Sequence, residues 1–146
     1  MDSIYDFMSK DHDRLDEIFN KFKQIKNRNI NRAKELFGEF KNGLERHIVW
    51  EEEILFPLFE KQAGMNDSGP TFVMRTEHVR IKEIISGIHE RAEKLDPDTD
   101  ELENELLFVL TAHNDKEESI LYPWIDNSIS SQEKEEAFER IRVTIS

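Results

Sequence analysis

The segments HIVWEEEILFPLFE (residues 47–60) and HNDKEESILYPWID (residues 113–126) are two copies of one pattern, set 66 residues apart. Each copy begins with a histidine, places a glutamate four residues later, and places a proline six residues after that glutamate. A spacing of four puts two side chains on one face of a helix, with Cβ atoms about 5–6 Å apart. The repeated pattern therefore predicts two equivalent helices that each present a histidine and a glutamate together.

A second repeated segment lies upstream of each copy. It reads DHDRLDEI at residues 11–18 and EHVRIKEI at residues 77–84, again 66 residues apart. Each of these segments carries a histidine within a stripe of apolar residues spaced by three and four, which is the spacing of one helix face. The separation from His12 to His47 equals that from His78 to His113, at 35 residues. The sequence thus predicts two helical hairpins of equal build, at about residues 1–66 and 67–132.

Two such hairpins placed side by side form an all-α, up-down-up-down four-helix bundle with a pseudo-twofold axis. The composition agrees, because 5 glycines, 4 prolines and 36% charged residues favour long helices with few breaks. Turn residues at 63–70 and 95–100 separate the predicted helices, and Thr99 or Asp100 is expected to cap the helix that follows. The amphipathic segment 131–145 predicts a short fifth helix across one end of a single domain, residues 1–146.

The helical period also predicts which side chains enter the core near the two prolines. It places Leu58 in the second helix and Trp124 in the fourth helix on the buried face. In the fourth helix it leaves two choices open, Val109 or Leu110 and Ile120 or Leu121. Proline removes a hydrogen bond from a helix and clashes with the preceding turn, so Pro57 and Pro123 predict either a kink or a helix end.

Six polar side chains are predicted to face one core. Unpaired, they would be costly to bury, and two neighbouring carboxylates would oppose each other's ionisation. A pair of divalent cations resolves this conflict, and imidazole and carboxylate ligands suit iron, manganese and zinc. The alternative is a structural cluster in which the histidines satisfy one another. The predicted metal ligands are His12, His47, Glu51, His78, His113 and Glu117.

The segments DHDRL, HIVWEEEILFP, TEHVRI and HNDKEESILYP resemble the hemerythrin-like, HHE cation-binding domain family over residues 3 to 126. The resemblance implies a four-helix bundle around a non-haem centre of two iron ions with an oxo or hydroxo bridge. Zinc and manganese stay open as alternatives. By motif, His12 and His47 would hold one iron, and His78 and His113 the other. The two carboxylates that would bridge the irons are those of Glu51 and Glu117.

One ligand of the oxygen-carrying hemerythrins is missing from this sequence. Those proteins use a fifth histidine one turn from the third, where this chain has Lys82 on one side and Met74 on the other. The sequence therefore resembles a branch of the family in which six ligands suffice. Fewer ligands leave coordination positions that admit O₂, NO or peroxide.

These features predict a protein that binds or senses a small diatomic ligand or oxidant. Two alternatives stay open. One is iron storage or donation in iron–sulfur centre repair or stress response, which the absence of cysteine weakens. The other is a di-iron peroxidase or NO reductase. No general acid or substrate pocket can be named from the sequence, so we expect a binding protein rather than an enzyme, acting with a protein partner for signalling or iron transfer.

Charge and composition exclude several other classes of protein. The net charge of −12 and the pI of about 4.9 oppose binding to a phosphate backbone, so nucleic acid is not an expected partner. The N-terminus MDSIYDFMSKDHDR is not a secretory signal, and no stretch approaches the roughly 18 apolar residues of a membrane span. We therefore expect a cytoplasmic protein without membrane contact.

Several residues near the predicted ligands have uncertain roles. Asp16, one turn after His12, is either an extra ligand or a solvated acid. His89 lies about 16 Å along the helix from His78 and is expected at the surface. A hydroxyl for a bound molecule is available from Tyr5 or Tyr122. Three acids beside the ligands are able to accept hydrogen bonds but are expected mainly on solvated flanks, namely Glu52, Glu77 and Glu118.

Overall fold

The computed structural model describes residues 2–65 and 68–145, and this part of the chain is helical without strands. Consecutive helices pack against each other in two hairpins, as the repeat predicts. Within residues 2–65 and 68–145, none of the helices is both long enough and apolar enough to cross a bilayer. The helices are α1 (Ile4–Ile25), α2 (Ile30–Val49), α3 (Phe56–Ala63), α4 (Pro70–Glu93), α5 (Asp100–Lys116), α6 (Tyr122–Ser128) and α7 (Ser131–Ile145).

The first hairpin is antiparallel, and aromatic pairs show its register. The ring of Phe19 lies 4.8 Å from that of Phe40, and the ring of Phe22 lies 5.2 Å from that of Phe37. Numbers rise along α1 as they fall along α2, so the two helices run in opposite directions. In the second hairpin, Gly87 of α4 faces the side chain of Leu102 of α5. Helix α2 also packs on α4, which joins the two hairpins into the predicted bundle.

Two apolar clusters fill the bundle, and the polar site lies between them. The first surrounds the four phenylalanines of the α1–α2 hairpin together with isoleucines of α4. The second contains Trp50, Phe56 and Phe59, and α7 covers it with Ala137 and Ile141. The indole nitrogen of Trp50 donates a 2.7 Å hydrogen bond to Thr144 of α7. The predicted fifth helix is therefore present, and it packs across one end of the bundle.

A buried lysine joins the end of α1 to the start of α5 at the opposite end of the bundle. The Nζ atom of Lys26, just after α1, donates to the Thr99 hydroxyl at 3.2 Å and to the Asp100 carboxylate at 2.5 Å. It also donates to the Glu103 carboxylate, which in turn accepts from Thr99. Thr99 stands at the predicted cap position of α5, but its hydroxyl binds side chains and makes no cap hydrogen bond to the backbone.

A wider helical turn precedes each proline. In π-helical turns at Trp50–Leu55 and Glu117–Leu121, hydrogen bonds span five residues instead of four. The N–H of Phe56 donates to the carbonyl of Glu51, and the N–H of Tyr122 donates to the carbonyl of Glu117. The helix therefore continues beyond both turns as α3 and α6, so neither Pro57 nor Pro123 ends it.

These π turns shift the buried face by one residue, which makes one part of the predicted core wrong. Phe59 and Ile125 are fully buried, whereas Leu58 is only partly buried and Trp124 is 39% exposed. The two residues that were predicted to be buried are themselves 66 positions apart, as are the two that replace them. The α-helical period fails at the same place in both halves, because each half contains one extra residue in a single turn.

Candidate metal centre

The structure brings all six predicted ligand side chains to one level of the bundle. Each is at most 3% exposed. The histidines come from α1, α2, α4 and α5, and each glutamate stands in one of the two π turns. These six residues are His12, His47, Glu51, His78, His113 and Glu117.

Their inner atoms form two adjoining groups, in each of which the atoms lie within 4.8 Å of one another. In the first group, the Nε2 atom of His12 lies 3.2 Å from Oε1 of Glu117, and His47 completes the group. In the second group, Nε2 of His78 lies 3.1 Å from Oε1 of Glu51, and Nε2 of His113 lies 3.2 Å from Oε2 of Glu117. Glu117 belongs to both groups, and Glu51 approaches His47 of the first at 3.6 Å.

Each of the four histidines has its outer ring nitrogen, Nδ1, against a carboxylate. Because Nδ1–H donates to the acid, Nε2 is the atom left to face the centre, and the ring orientation is fixed. The four Nδ1–carboxylate pairs are His12–Glu118 at 2.7 Å, His47–Asp11 at 2.8 Å, His78–Glu52 at 2.6 Å and His113–Glu77 at 2.8 Å.

These outer acids follow the internal repeat, and the expectation that three of them are mainly solvated is wrong. Asp11 and Glu77 occupy equivalent positions, and each holds the histidine on the partner helix of its own hairpin. Glu52 and Glu118 are also equivalent, and each holds a histidine of the other hairpin. Asp11 was not singled out from the sequence, although an acid immediately precedes the first histidine of both repeats.

Tyr122 reaches the centre of the cluster, so of the two tyrosines that the sequence offers as a source of a hydroxyl, this one lies at the site. Its hydroxyl donates to Oε2 of Glu51 at 2.6 Å and lies 3.0 Å from Oε1 of Glu117. In a regular α-helix, a residue five positions after Glu117 would point about 140° away from it. The π turn takes up most of that angle and brings the tyrosine ring over the glutamate. The other tyrosine considered, Tyr5, is 39% exposed.

The carboxylates change the protonation of the buried histidines. Burial lowers the pKa of His47, but the charge of Glu51 and the hydrogen bond to Asp11 outweigh it and raise the pKa to about 10. The same balance of burial against the nearby carboxylates of Glu51 and Glu52 raises the pKa of His78 to about 9. In the metal-free protein these two imidazoles are therefore cationic at neutral pH and neutralise the two glutamates.

The donor atoms fit a bound cation. Oε1 of Glu51, Nε2 of His78 and Oε2 of Glu117 are buried and make no hydrogen bond. Buried polar atoms normally have a partner, and these three lie in the same group of inner atoms. Imidazole nitrogen and carboxylate oxygen are ligands of zinc, manganese and iron, so a metal ion would supply the partner that they lack.

A small cavity lies at the centre of the cluster, and all six inner side chains line it. Its volume is about 10 Å³, close to the lower limit for one water molecule. Leu44, Ile48, Ile81 and Leu110 form its apolar wall, and Asn114 contributes a partly buried amide.

Two other residues considered from the sequence stay outside the cluster. Asp16 is exposed on α1 and belongs to neither group of inner atoms. His89 is partly exposed on α4, with 42% of its side chain accessible, and lies 4.0 Å from the carboxylate of Glu93. The expectation of a surface position for His89 is confirmed.

A helical bundle that encloses buried histidines and carboxylates in this order defines a class of metal-binding protein. Residues 3–125 match the model of the hemerythrin HHE cation binding domain. The chain belongs to this family.

The chain is also similar to parts of longer curated proteins. The chain is 27% identical over 134 residues to a protein named DNA nickase from Nostoc sp. (strain PCC 7120), and the match covers 92% of this chain and 36% of that protein. It is 28% identical over 89 residues to the iron-sulfur cluster repair protein YtfE of Yersinia pestis (strain Pestoides F), covering 55% of this chain and 40% of that protein. The chain thus spans well under half the length of these relatives. No solved structure matches it significantly.

Proposed function

We propose that this protein binds two iron ions between its four core histidines, and that the iron centre binds a small diatomic molecule or oxidant such as O₂, NO or peroxide. One ion would be held by His12 and His47, the other by His78 and His113. Glu51 and Glu117 would bridge them. When bound, such a centre supplies reversible one-electron chemistry and positions for a small exogenous ligand.

The observation that carries this proposal is the orientation of the four imidazoles. Every Nδ1 atom is held by a carboxylate at 2.6–2.8 Å, so all four Nε2 atoms face the same centre. A purely structural cluster would need no such outer support, because each ring would satisfy its neighbours directly. Outer carboxylates that fix the tautomer of a histidine are typical of metal sites.

Charge supports a pair of divalent ions. Four neutral imidazoles and two carboxylates carry a charge of −2, so two Fe²⁺ ions leave +2, which a hydroxide or oxide bridge reduces further. In the metal-free protein, protonated His47 and His78 carry the compensating charge. Metal ions would therefore take the place of protons, which is the usual coupling between metal binding and ligand protonation.

A second candidate function is iron donation. It is favoured by the similarity to a protein named for iron–sulfur cluster repair, which covers 55% of this chain. A donor must release iron, so the outcome that favours it is loss of iron to an acceptor upon reduction. The name DNA nickase favours no role here, because the net charge of −12 opposes contact with a phosphate backbone.

The first test is metal content. Protein loaded with Fe²⁺ without oxygen should contain two ions per chain by elemental analysis. His47→Ala and His113→Ala should each reduce that content to one ion or fewer, whereas His89→Ala should keep two, because His89 is partly exposed and belongs to neither group of inner atoms. Equal loss in all three variants, or no uptake by the unaltered protein, would refute the ligand assignment.

The second test is the response of the loaded protein to small molecules. Exposure to air should produce an oxo-to-iron band in the near-ultraviolet. A band that reverses under vacuum supports carriage of O₂, and a stable NO adduct supports binding or sensing of NO. Catalytic consumption of peroxide or NO would instead establish an enzyme. Iron that leaves the reduced protein for an apo iron–sulfur acceptor would establish the donor function.

A further inference from the structure

We infer that Tyr122 is an additional ligand of one of the two metal ions, the one held by His12 and His47, and that exogenous molecules therefore bind at the other. This inference rests on the proposed di-iron centre. It assigns different roles to two metal-binding positions that the internal repeat would otherwise make equivalent.

The hydroxyl of Tyr122 lies among the inner atoms of the first group. It is 2.6 Å from Oε2 of Glu51, 3.0 Å from Oε1 of Glu117, 3.2 Å from Nε2 of His47 and 3.3 Å from Nε2 of His12. The side chain is fully buried. A phenol can make about three hydrogen bonds, one as donor and two as acceptor, so four close polar atoms exceed what it can satisfy.

These four distances are those expected between neighbouring ligands of one ion. Ligand atoms about 2.1 Å from an octahedral ion lie about 3.0 Å from their neighbours at right angles. The hydroxyl of Tyr122 is 2.6–3.3 Å from four of the proposed ligand atoms, which brackets that value. The oxygen therefore stands where a further ligand, adjacent to all four, belongs.

The second group has a different residue at the equivalent place. Phe56 is the counterpart of Tyr122 in the repeat, and its ring is stacked on His78 at 6.1 Å with an interplanar angle of 6°. A phenyl ring offers no ligand oxygen. The buried atoms without a hydrogen bond also belong to this group, at Glu51 Oε1, His78 Nε2 and Glu117 Oε2.

The two ions are consequently unequal. The ion held by His12 and His47 gains an oxygen ligand from the chain, whereas the ion held by His78 and His113 gains none from the equivalent position. Since an exogenous molecule binds where the protein supplies fewer ligands, the geometry assigns azide, NO or O₂ to the ion of His78 and His113.

The test uses iron-loaded protein oxidised to the ferric state. Burial and the charges of Glu117 and Glu51 raise the pKa of Tyr122, so its hydroxyl would release its proton to solvent only when the oxygen binds the cation. The resulting phenolate on Fe³⁺ produces an intense visible charge-transfer band, and excitation into that band enhances tyrosinate ring vibrations in the resonance Raman spectrum. We expect both signals in the unaltered protein and in Tyr5→Phe, whose tyrosine is exposed. Both should vanish in Tyr122→Phe, with retention of at least one iron per chain.

A second variant tests the inequality of the ions. Phe56→Tyr should place a hydroxyl beside the ion of His78 and His113 and lower the affinity for azide several-fold. Absence of the visible band in unaltered protein that binds two irons would overturn the inference while leaving the proposed function intact. So would an unchanged spectrum in Tyr122→Phe, or loss of both irons from a folded Tyr122→Phe protein. Failure of the unaltered protein to bind iron would count against the proposed function instead.

Discussion

The two halves of this molecule differ little in framework and clearly at one position of the site. Both halves place a histidine on each helix of a hairpin, a glutamate in a π turn, and an acid against each outer ring nitrogen. They diverge five residues after the glutamate, where Phe56 stands in one half and Tyr122 in the other. The repeat fixes where metal ligands lie, and this single difference makes the two proposed metal positions chemically distinct.

The largest expected effect comes from removing a carboxylate that both positions share. Glu117 belongs to both groups of inner atoms, so Glu117→Ala should abolish binding of both ions, whereas His47→Ala should spare the ion of His78 and His113. Iron per chain, measured by elemental analysis on protein whose helicity is checked by circular dichroism, distinguishes the two outcomes. Retention of one ion by Glu117→Ala would mean that the two positions bind independently.

The next effect in size is a loss of stability of the metal-free protein at alkaline pH. His47 and His78 have pKa values of about 10 and 9, against 6.5 in an unfolded chain. A raised pKa stabilises the folded state below pH 6.5, and this contribution disappears as the pH rises through 9 and 10. Each pKa unit corresponds to about 1.4 kcal/mol, so we expect a decrease of several kcal/mol.

Urea unfolding at pH 6.5 and pH 10 in the presence of a chelator measures this decrease. The iron-loaded protein is the matched control, because a metal ion instead of a proton occupies each Nε2 atom, and it should lose much less stability. Equal pH profiles with and without iron would show that the histidines are not the groups responsible.

A comparison of neighbouring core residues tests the register that the π turns impose. Phe59→Ala should cost about 3–5 kcal/mol and Ile125→Ala about 2–5 kcal/mol, because both side chains are fully buried. Leu58→Ala and Trp124→Ala should cost less, since Leu58 is partly buried and Trp124 is 39% exposed. The free energy of unfolding of the four variants gives the order. A larger loss for Leu58→Ala than for Phe59→Ala would indicate a regular α-helix in the first half.

This register explains where prediction from the sequence succeeded and where it failed. The bundle and the six inner side chains follow from a spacing of three and four and from an exact 66-residue repeat, both of which are visible in the letters. The π turns are not visible, because nothing in WEEEIL or EESIL marks an extra residue in the turn. That extra residue moved Phe59 into the core in place of Leu58 and brought Tyr122 over Glu117.

The prediction that the outer acids are mainly solvated was wrong for a different physical reason. Glu52 follows Glu51 by one position, and a neighbouring residue on a helix points about 100° away. That angle alone predicts a position facing solvent, although in a four-helix bundle it also points toward the adjacent helix. The carboxylate of Glu52 accordingly reaches Nδ1 of His78 on α4 at 2.6 Å.

The smallest expected effect separates the two halves through these acids. Glu118→Gln removes the carboxylate that orients His12, and Glu52→Gln removes its counterpart at His78. Loss of such a partner typically lowers metal affinity about 10–100-fold. Each substitution should therefore weaken the binding of one ion and largely spare the binding of the other. Stepwise metal titration would resolve this as a change in one of two binding constants. If Tyr122 supplies an additional ligand, Glu118→Gln should be the milder of the two, because the ion of His12 retains more of its ligands. A stronger effect of Glu118→Gln would reverse the assignment of the better-ligated position.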